Sequence, residues 1–175
     1  MSRAFSGLAA AVLLLSACAT PRLALQEVQF ELAGRLAARY RNEAFTGNLA
    51  WVHARDGDEL LISTPLGQGI ARIVRQGNVV TLSTPDGEQS AADAESLTEQ
   101  TLGFRLPLAG LADWVRGRPS PAASANTEYG ADAKLARLEQ SGWNIEYQAY
   151  EGERPSRMRL TYPGIELRLA ISEWK

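Results

Sequence analysis

The stretch RMRLTYPGIELRLAISEW, residues 157–174, alternates between apolar and polar on both sides of a Pro-Gly pair. Before the pair, Arg157 and Arg159 alternate with Met158, Leu160 and Tyr162. After it, Ile165, Leu167, Leu169 and Ile171 oppose Glu166, Arg168 and Ser172. A period of two belongs to strands with one buried and one wet face, and Pro163-Gly164 supplies a turn between two of them. This reading sets the fold class, because the same period recurs through most of the chain.

FELAGRLAARY, residues 30–40, places Phe30, Leu32, Gly34, Leu36, Ala38 and Tyr40 on one side and Glu31, Arg35 and Arg39 on the other. FTGNLAWVH, 45–53, sets Phe45, Leu49 and Trp51 against Thr46 and Asn48. ELLIST, GIARIV and NVVTLST follow, separated by a Pro-Leu-Gly loop and by Gln76-Gly77, and read as consecutive antiparallel strands; a turn centred on Asp86-Gly87 leads out of them. Later, KLARLEQ (134–140) and GWNIEYQAY (142–150) resume the alternation, with Trp143, Ile145 and Tyr147 opposite Asn144, Glu146 and Gln148.

Two helices interrupt the strands. The first is predicted over Ala94–Leu102, with Asp93 as N-cap, Glu95 in the first turn and Gly103 at the left-handed C-terminal position. The second opens at Pro107 and closes at Gly117, with Leu108, Leu111 and Val115 on one stripe and Trp114 beside it. Residues 118–130, RPSPAASANTEYG, read as a long loop inside a single domain. A sheet that is wet on one face and apolar on the other suits one curved antiparallel sheet around an apolar interior. Periodicity alone fits both an ordinary core filled by the helices and a hollow. The four tryptophans, at 51, 114, 143 and 174, serve either.

At the left end, Arg3 precedes the apolar run LAAAVLLL (8–15), too short to cross a bilayer as a helix, so residues 1–17 read as a secretory signal. LSAC, 15–18, then places small residues before the chain's one cysteine. This resembles the lipobox of bacterial lipoproteins, and the resemblance implies cleavage before Cys18, thioether linkage of its thiol to diacylglycerol and acylation of its new amino group. The alternative is a small apolar residue near the end of a signal. Ala19 stands where an Asp retains enterobacterial lipoproteins in the inner membrane, which favours the outer membrane. One acyl chain holds only marginally and further chains make the anchor stable.

The remaining chain, 18–175, is long enough for one domain with a real core. Its formal charge is −3 once Arg3 is removed from the full-length value of −2. No basic patch appears in the sequence, so nucleic acid is not expected as a partner. A single cysteine excludes an internal disulfide and argues against a thiolate metal site. His53, the sole histidine, ends a strand pattern and reads as a surface or partly packed imidazole. The acidic cluster Asp56, Asp58 and Glu59 reads first as a hairpin turn. With no GxSxG elbow and no HExxH pair, neither enzyme activity nor a cofactor or metal is expected.

STPLGQG, 63–69, is punctuated as an exposed turn but carries an aliphatic residue, Leu66. The ordered set of GRLAAR (34–39), GNLAW (47–51), LLISTPLG (60–67), ADAESLTEQTLGFRLPLAGLADWVRGRP (92–119), SGWNIEY (141–147) and LRLAISEW (167–174), together with the lipobox, resembles the outer-membrane lipoprotein receptor family LolB. The resemblance spans nearly the whole mature chain. It implies an incompletely closed antiparallel β-barrel with a helical lid over an apolar cavity, an α+β fold dominated by strands. It also implies a monomer on the periplasmic side of the outer membrane, lipid-anchored through Cys18. Such a receptor accepts acylated lipoproteins from the periplasmic carrier LolA and inserts them among outer-membrane lipids. On this reading Leu66 corresponds to the loop leucine that promotes membrane delivery. Leu32, Leu36, Leu49, Trp51, Trp143, Ile145, Leu167 and Leu169 face the cavity, joined by Leu111, Trp114 and Val115 from the lid helix. The rival expectation is an outer-membrane lipoprotein scaffold that binds a protein partner and never holds lipid.

Overall fold

The structure, a computed structural model, describes residues 27–175. The signal and Cys18 lie outside the described residues. The elements run β1 (Val28–Tyr40), β2 (Glu43–Ala54), β3 (Gly57–Ser63), β4 (Gly69–Gln76), β5 (Val79–Thr84), β6 (Gly87–Ala91), α1 (Ala94–Leu102), α2 (Leu108–Trp114), β7 (Ala125–Tyr129), β8 (Leu135–Gln140), β9 (Trp143–Glu151), β10 (Arg154–Tyr162) and β11 (Ile165–Trp174).

All eleven strands join one sheet in the order β6-β5-β4-β3-β2-β1-β11-β10-β9-β8-β7. Each half is a meander, and the pairing of β1 with β11 joins the halves in the middle. The two edges, β6 and β7, do not pair, so the barrel stays open. The chain leaves the sheet at β6 and re-enters at β7, and both helices lie on that one connection. Topology alone therefore puts the helices across the gap. The result is an incompletely closed antiparallel barrel with a helical lid.

Register follows from the alternating pattern, since a slip of one residue would turn every apolar side chain outward. Leu36 of β1 stands between Gly47 of β2 and Leu169 of β11, and Leu169 faces Met158 of β10. The inward-facing apolar residues of β1–β5 and β8–β11 enter one core cluster with Leu97, Phe104, Leu106, Leu108 and Leu111 from the lid. Each such side chain fully removed from water contributes roughly 1.5–3 kcal/mol. Where β1 bends, its register against β11 shifts between Ala33 and Gly34. A Cβ on Gly34 would collide with the Ala170 carbonyl oxygen, so only glycine permits this approach.

α1 is capped as expected. The Asp93 carboxylate accepts from the Glu95 and Ser96 amides, both at 3.1 Å, and Gly103, at φ 78°, donates its amide to Glu99 O. α2 is shorter than the predicted span from Pro107 to Gly117. Leu108, Leu111, Ala112 and Trp114 are buried, and no side chain caps its N-terminus.

The stretch 118–130 is not a loop throughout, because Ala125–Tyr129 forms the edge strand β7, paired with Leu135–Gln140. Its burial pattern is almost wholly exposed, so no apolar alternation marked it in the sequence.

Candidate functional site

Leu32, Leu36, Leu49, Trp51, Trp143, Ile145, Leu167 and Leu169 all lie on the inner face, and Leu111, Trp114 and Val115 meet them from the lid. None of the eleven is more than 3 % exposed, and all belong to one buried cluster. In this conformation the lid packs directly onto the inner face of the sheet.

The polar groups that hold the lid were not read from the sequence. The Trp114 indole N–H donates to Gln140 Oε1 at 2.8 Å, and that same oxygen accepts the Ser120 amide. Gln140 Nε2 donates in turn to the carbonyls of Ser120 and Ala123. One buried amide therefore ties α2 and the segment after it to β8. The Tyr147 hydroxyl adds a bond to Trp114 O at 3.0 Å. Burial first, and the neighbouring Tyr150 second, push the Tyr147 pKa far up, so the hydroxyl remains a donor. Within α2, Asp113 receives Arg116 and Arg118 from just beyond the helix, while the Arg116 guanidinium lies over the Phe30 ring. The Trp143 indole N–H is buried without a partner, an unpaired donor in an otherwise apolar cluster.

A second polar cluster lies near the β2–β3 turn. Asp58 does not sit in that turn as the sequence reading had it, but in β3, pointing inward at 2 % exposure. Its carboxylate accepts from Trp51 Nε1 at 2.9 Å, His53 Nδ1 at 2.6 Å and Arg75 Nε at 2.6 Å. Burial raises its pKa, but the bond from His53 and the charge of Arg75 outweigh burial and hold it below the ordinary aspartate value. His53 is accordingly a partly packed imidazole wedged between Phe30 and Asp58. Sequence parity could have found Asp58, since it shares a face with Leu60 and Ile62. Gln140 likewise shares a face with Leu138.

Leu66 stands apart from all of this, at 92 % exposure. Its loop is nonetheless tightly built. Thr64 O accepts from the Gly67 amide at 2.9 Å, the Thr64 amide donates to Gln68 O at 2.8 Å, and Thr64 Oγ1 accepts from the Gln68 amide. Asn48 Nδ2 secures Thr64 O from β2. Gly67 sits at φ 87°, a conformation that glycine adopts without strain. The loop thus presents Leu66 to solvent on a hydrogen-bonded frame. Beside it opens a cleft of about 530 Å³, lined by Thr64, Gln68, Ile70, Leu82 and the α1 residues Thr101 and Leu102, among others. Asp86, Glu88 and Gln89 form its polar rim, Leu82 is buried in the core and Leu102 packs against it, so the cleft ends on the edge of the core beside α1. Among the described residues no helix is long and apolar enough to cross a membrane.

The sequence profile described as "Outer membrane lipoprotein LolB" matches residues 28–174. An outer-membrane lipoprotein LolB of Thiobacillus denitrificans is 39 % identical over 146 residues, covering 82 % of this chain and 78 % of its own. One from Azoarcus sp. is 36 % identical over 174 residues, covering 93 % and 90 %. Among solved structures, a DUF1329 family protein from Desulfovibrio piger superposes with a TM-score of 0.52 at 7 % identity, covering 83 % of this chain and 84 % of its own, a likeness of fold alone. The matched profile spans every strand and both helices, and with these relatives it shows that the chain belongs to the LolB family of outer-membrane lipoproteins.

Proposed function

We propose that this protein is anchored in the outer membrane through acylated Cys18, accepts acylated lipoproteins as a monomer from the carrier LolA, and inserts them into that membrane. The observation that carries the reading is Leu66, a fully presented aliphatic side chain on a hydrogen-bonded loop, next to a cleft that touches the core at Leu82. Burying one leucine from water is worth roughly 1.5–3 kcal/mol. That biases contact with a bilayer without trapping the domain there.

Cargo handling depends on the interior. An acyl chain gains about 0.8 kcal/mol per methylene on leaving water, so its passage from carrier to receptor to bilayer must keep it covered. The inner-face residues offer that cover once α2 and α1 move aside, and the incoming chain replaces the lid's apolar contacts with its own. Direction comes from relative affinity, each tenfold step being about 1.4 kcal/mol, and ends downhill in the bilayer.

The close packing of the lid against the inner face favours a second reading, a scaffold that never takes lipid. One experiment separates the two. The chain from Ala19 onward, which lacks the signal and the cysteine but contains every described residue, is mixed with a purified lipoprotein–LolA complex in the absence of membranes. Transfer of the lipoprotein to this chain supports the receptor; a complex left intact supports the scaffold.

A further inference from the structure

The outer face of the sheet carries a feature that the cavity and Leu66 do not use. Arg35 of β1, Arg157 and Arg159 of β10 and Arg168 of β11 line a cleft of about 490 Å³, floored by Ala37 and Ala170. The arginines come together through register. Arg35 pairs with Ala170, which pairs with Arg157, and one step along the strands Ala37 pairs with Arg168, which pairs with Arg159. Small residues between long basic ones leave the hollow.

Charge on this face is not balanced. Glu166 bonds Arg159 and Arg168, and Glu146 lies 3.8 Å from Arg159. Arg35 and Arg157 are exposed and enter no ion pair among the described residues, and Arg39 is exposed on the same face. With Arg137, which shares Glu146 and also meets Glu128, six guanidiniums therefore meet three carboxylates on a chain whose net charge is −2. Alternation in the sequence placed the cleft's arginines on the wet face but could not gather them, because three strands distant in sequence supply them.

Position gives the patch its meaning. Ser63, at the base of the Leu66 loop, pairs with Asn48, and Asn48 pairs with Arg35. The row of Thr46, Ala37, Arg168 and Arg159 lies two residues further in the direction of that loop. At about 4.8 Å between strands, Arg35 stands about 10 Å sideways from the loop base and Arg157 about 20 Å. The arginines thus form a band in the register rows that run past the base of the Leu66 loop.

We infer that this band, centred on Arg35 and Arg157, binds the phosphates of anionic phospholipid headgroups and orients the barrel while Leu66 enters the bilayer. The inference rests on the membrane-delivery reading and adds a second contact to it. A guanidinium fork fits phosphate oxygens, and a basic residue near an anionic membrane surface strengthens attachment about fivefold.

The test is equilibrium binding of the chain from Ala19 onward to two kinds of vesicle, phosphatidylcholine alone and a three-to-one mixture of phosphatidylcholine with phosphatidylglycerol. The unmodified chain is expected to prefer the anionic vesicles, and the preference should vanish in high salt. The double variant Arg35→Gln, Arg157→Gln should lose about 25-fold on anionic vesicles, with unchanged binding to neutral ones and an unchanged melting curve. The lysine pair Arg35→Lys, Arg157→Lys should keep most of the preference. Equal binding to both vesicles, or a glutamine pair that keeps the preference, overturns the inference. So does a glutamine pair that binds vesicles normally but no longer accepts lipoprotein from LolA, since the occupant is then a protein. A chain that prefers anionic vesicles yet never takes lipoprotein from the carrier refutes the transport reading and leaves this surface standing.

Discussion

If Leu66 makes the proposed membrane contact, truncating it should separate that contact from stability and from acceptance of lipoprotein. The side chain is 92 % exposed and its loop is held by backbone and Thr64 hydroxyl bonds that the substitution leaves in place. Leu66→Ala should therefore change folding stability by no more than about 0.5 kcal/mol. In the bilayer, the variant lacks roughly 2 kcal/mol of transfer free energy, at about 0.8 kcal/mol per methylene. That corresponds to about a 30-fold weaker affinity for neutral phosphatidylcholine vesicles. Leu66→Glu should be weaker still, because insertion would bury a carboxylate. The assay pairs vesicle binding of the chain from Ala19 onward with a thermal melt and with acceptance of lipoprotein from LolA. Binding and delivery should fall while the other two hold. A melting temperature lowered by several degrees, an unchanged vesicle affinity, or an equal loss of acceptance would each refute the reasoning.

Three further outcomes follow from the buried polar groups and the sheet. Asp58→Asn removes the charge that gathers Trp51, His53 and Arg75, and should cost about 2–4 kcal/mol in urea unfolding at neutral pH. Because the folded protein holds Asp58 below its ordinary pKa, the unfolded chain takes up the proton first as pH falls. The stabilisation is complete above about pH 3.9 and is lost as pH drops toward the folded value, so the gap between Asp58→Asn and the parent should narrow in acid. Gln140→Leu strands the Trp114 and Ser120 N–H groups and two carbonyls, and should cost about 3 kcal/mol with faster proteolysis of residues 115–124. Gly34→Ala forces a methyl group against Ala170 O and should destabilise at the upper end of the roughly 1–3 kcal/mol typical of overpacked sites, read by chemical denaturation.

The strands were legible because each buries one face and wets the other, and 165–174 carries that signal almost without exception. α1 was legible from its caps, Asp93 and Gly103. β7 was not, because an exposed edge strand owes its pairing to β8 and leaves no apolar period of its own. Leu66 was found as a residue out of keeping with its turn. Asp58 was missed because it was assigned to the turn, and Gln140 because it drew no notice at the end of KLARLEQ, whereas parity with Leu60 and Leu138 points both inward. The arginine band needed the register of β1, β10 and β11, which no local pattern encodes.

Whether hydrocarbon enters the barrel is read most directly from its tryptophans. Trp51, Trp114 and Trp143 lie within the inner-face and lid cluster, each no more than 2 % exposed. A lipopeptide with brominated acyl chains, kept below its aggregation concentration, brings a contact quencher to that face only if the lid yields to it. The account predicts saturable loss of most of the emission, approached at one lipopeptide per protein. Emission that stays unchanged at saturating lipopeptide would contradict it.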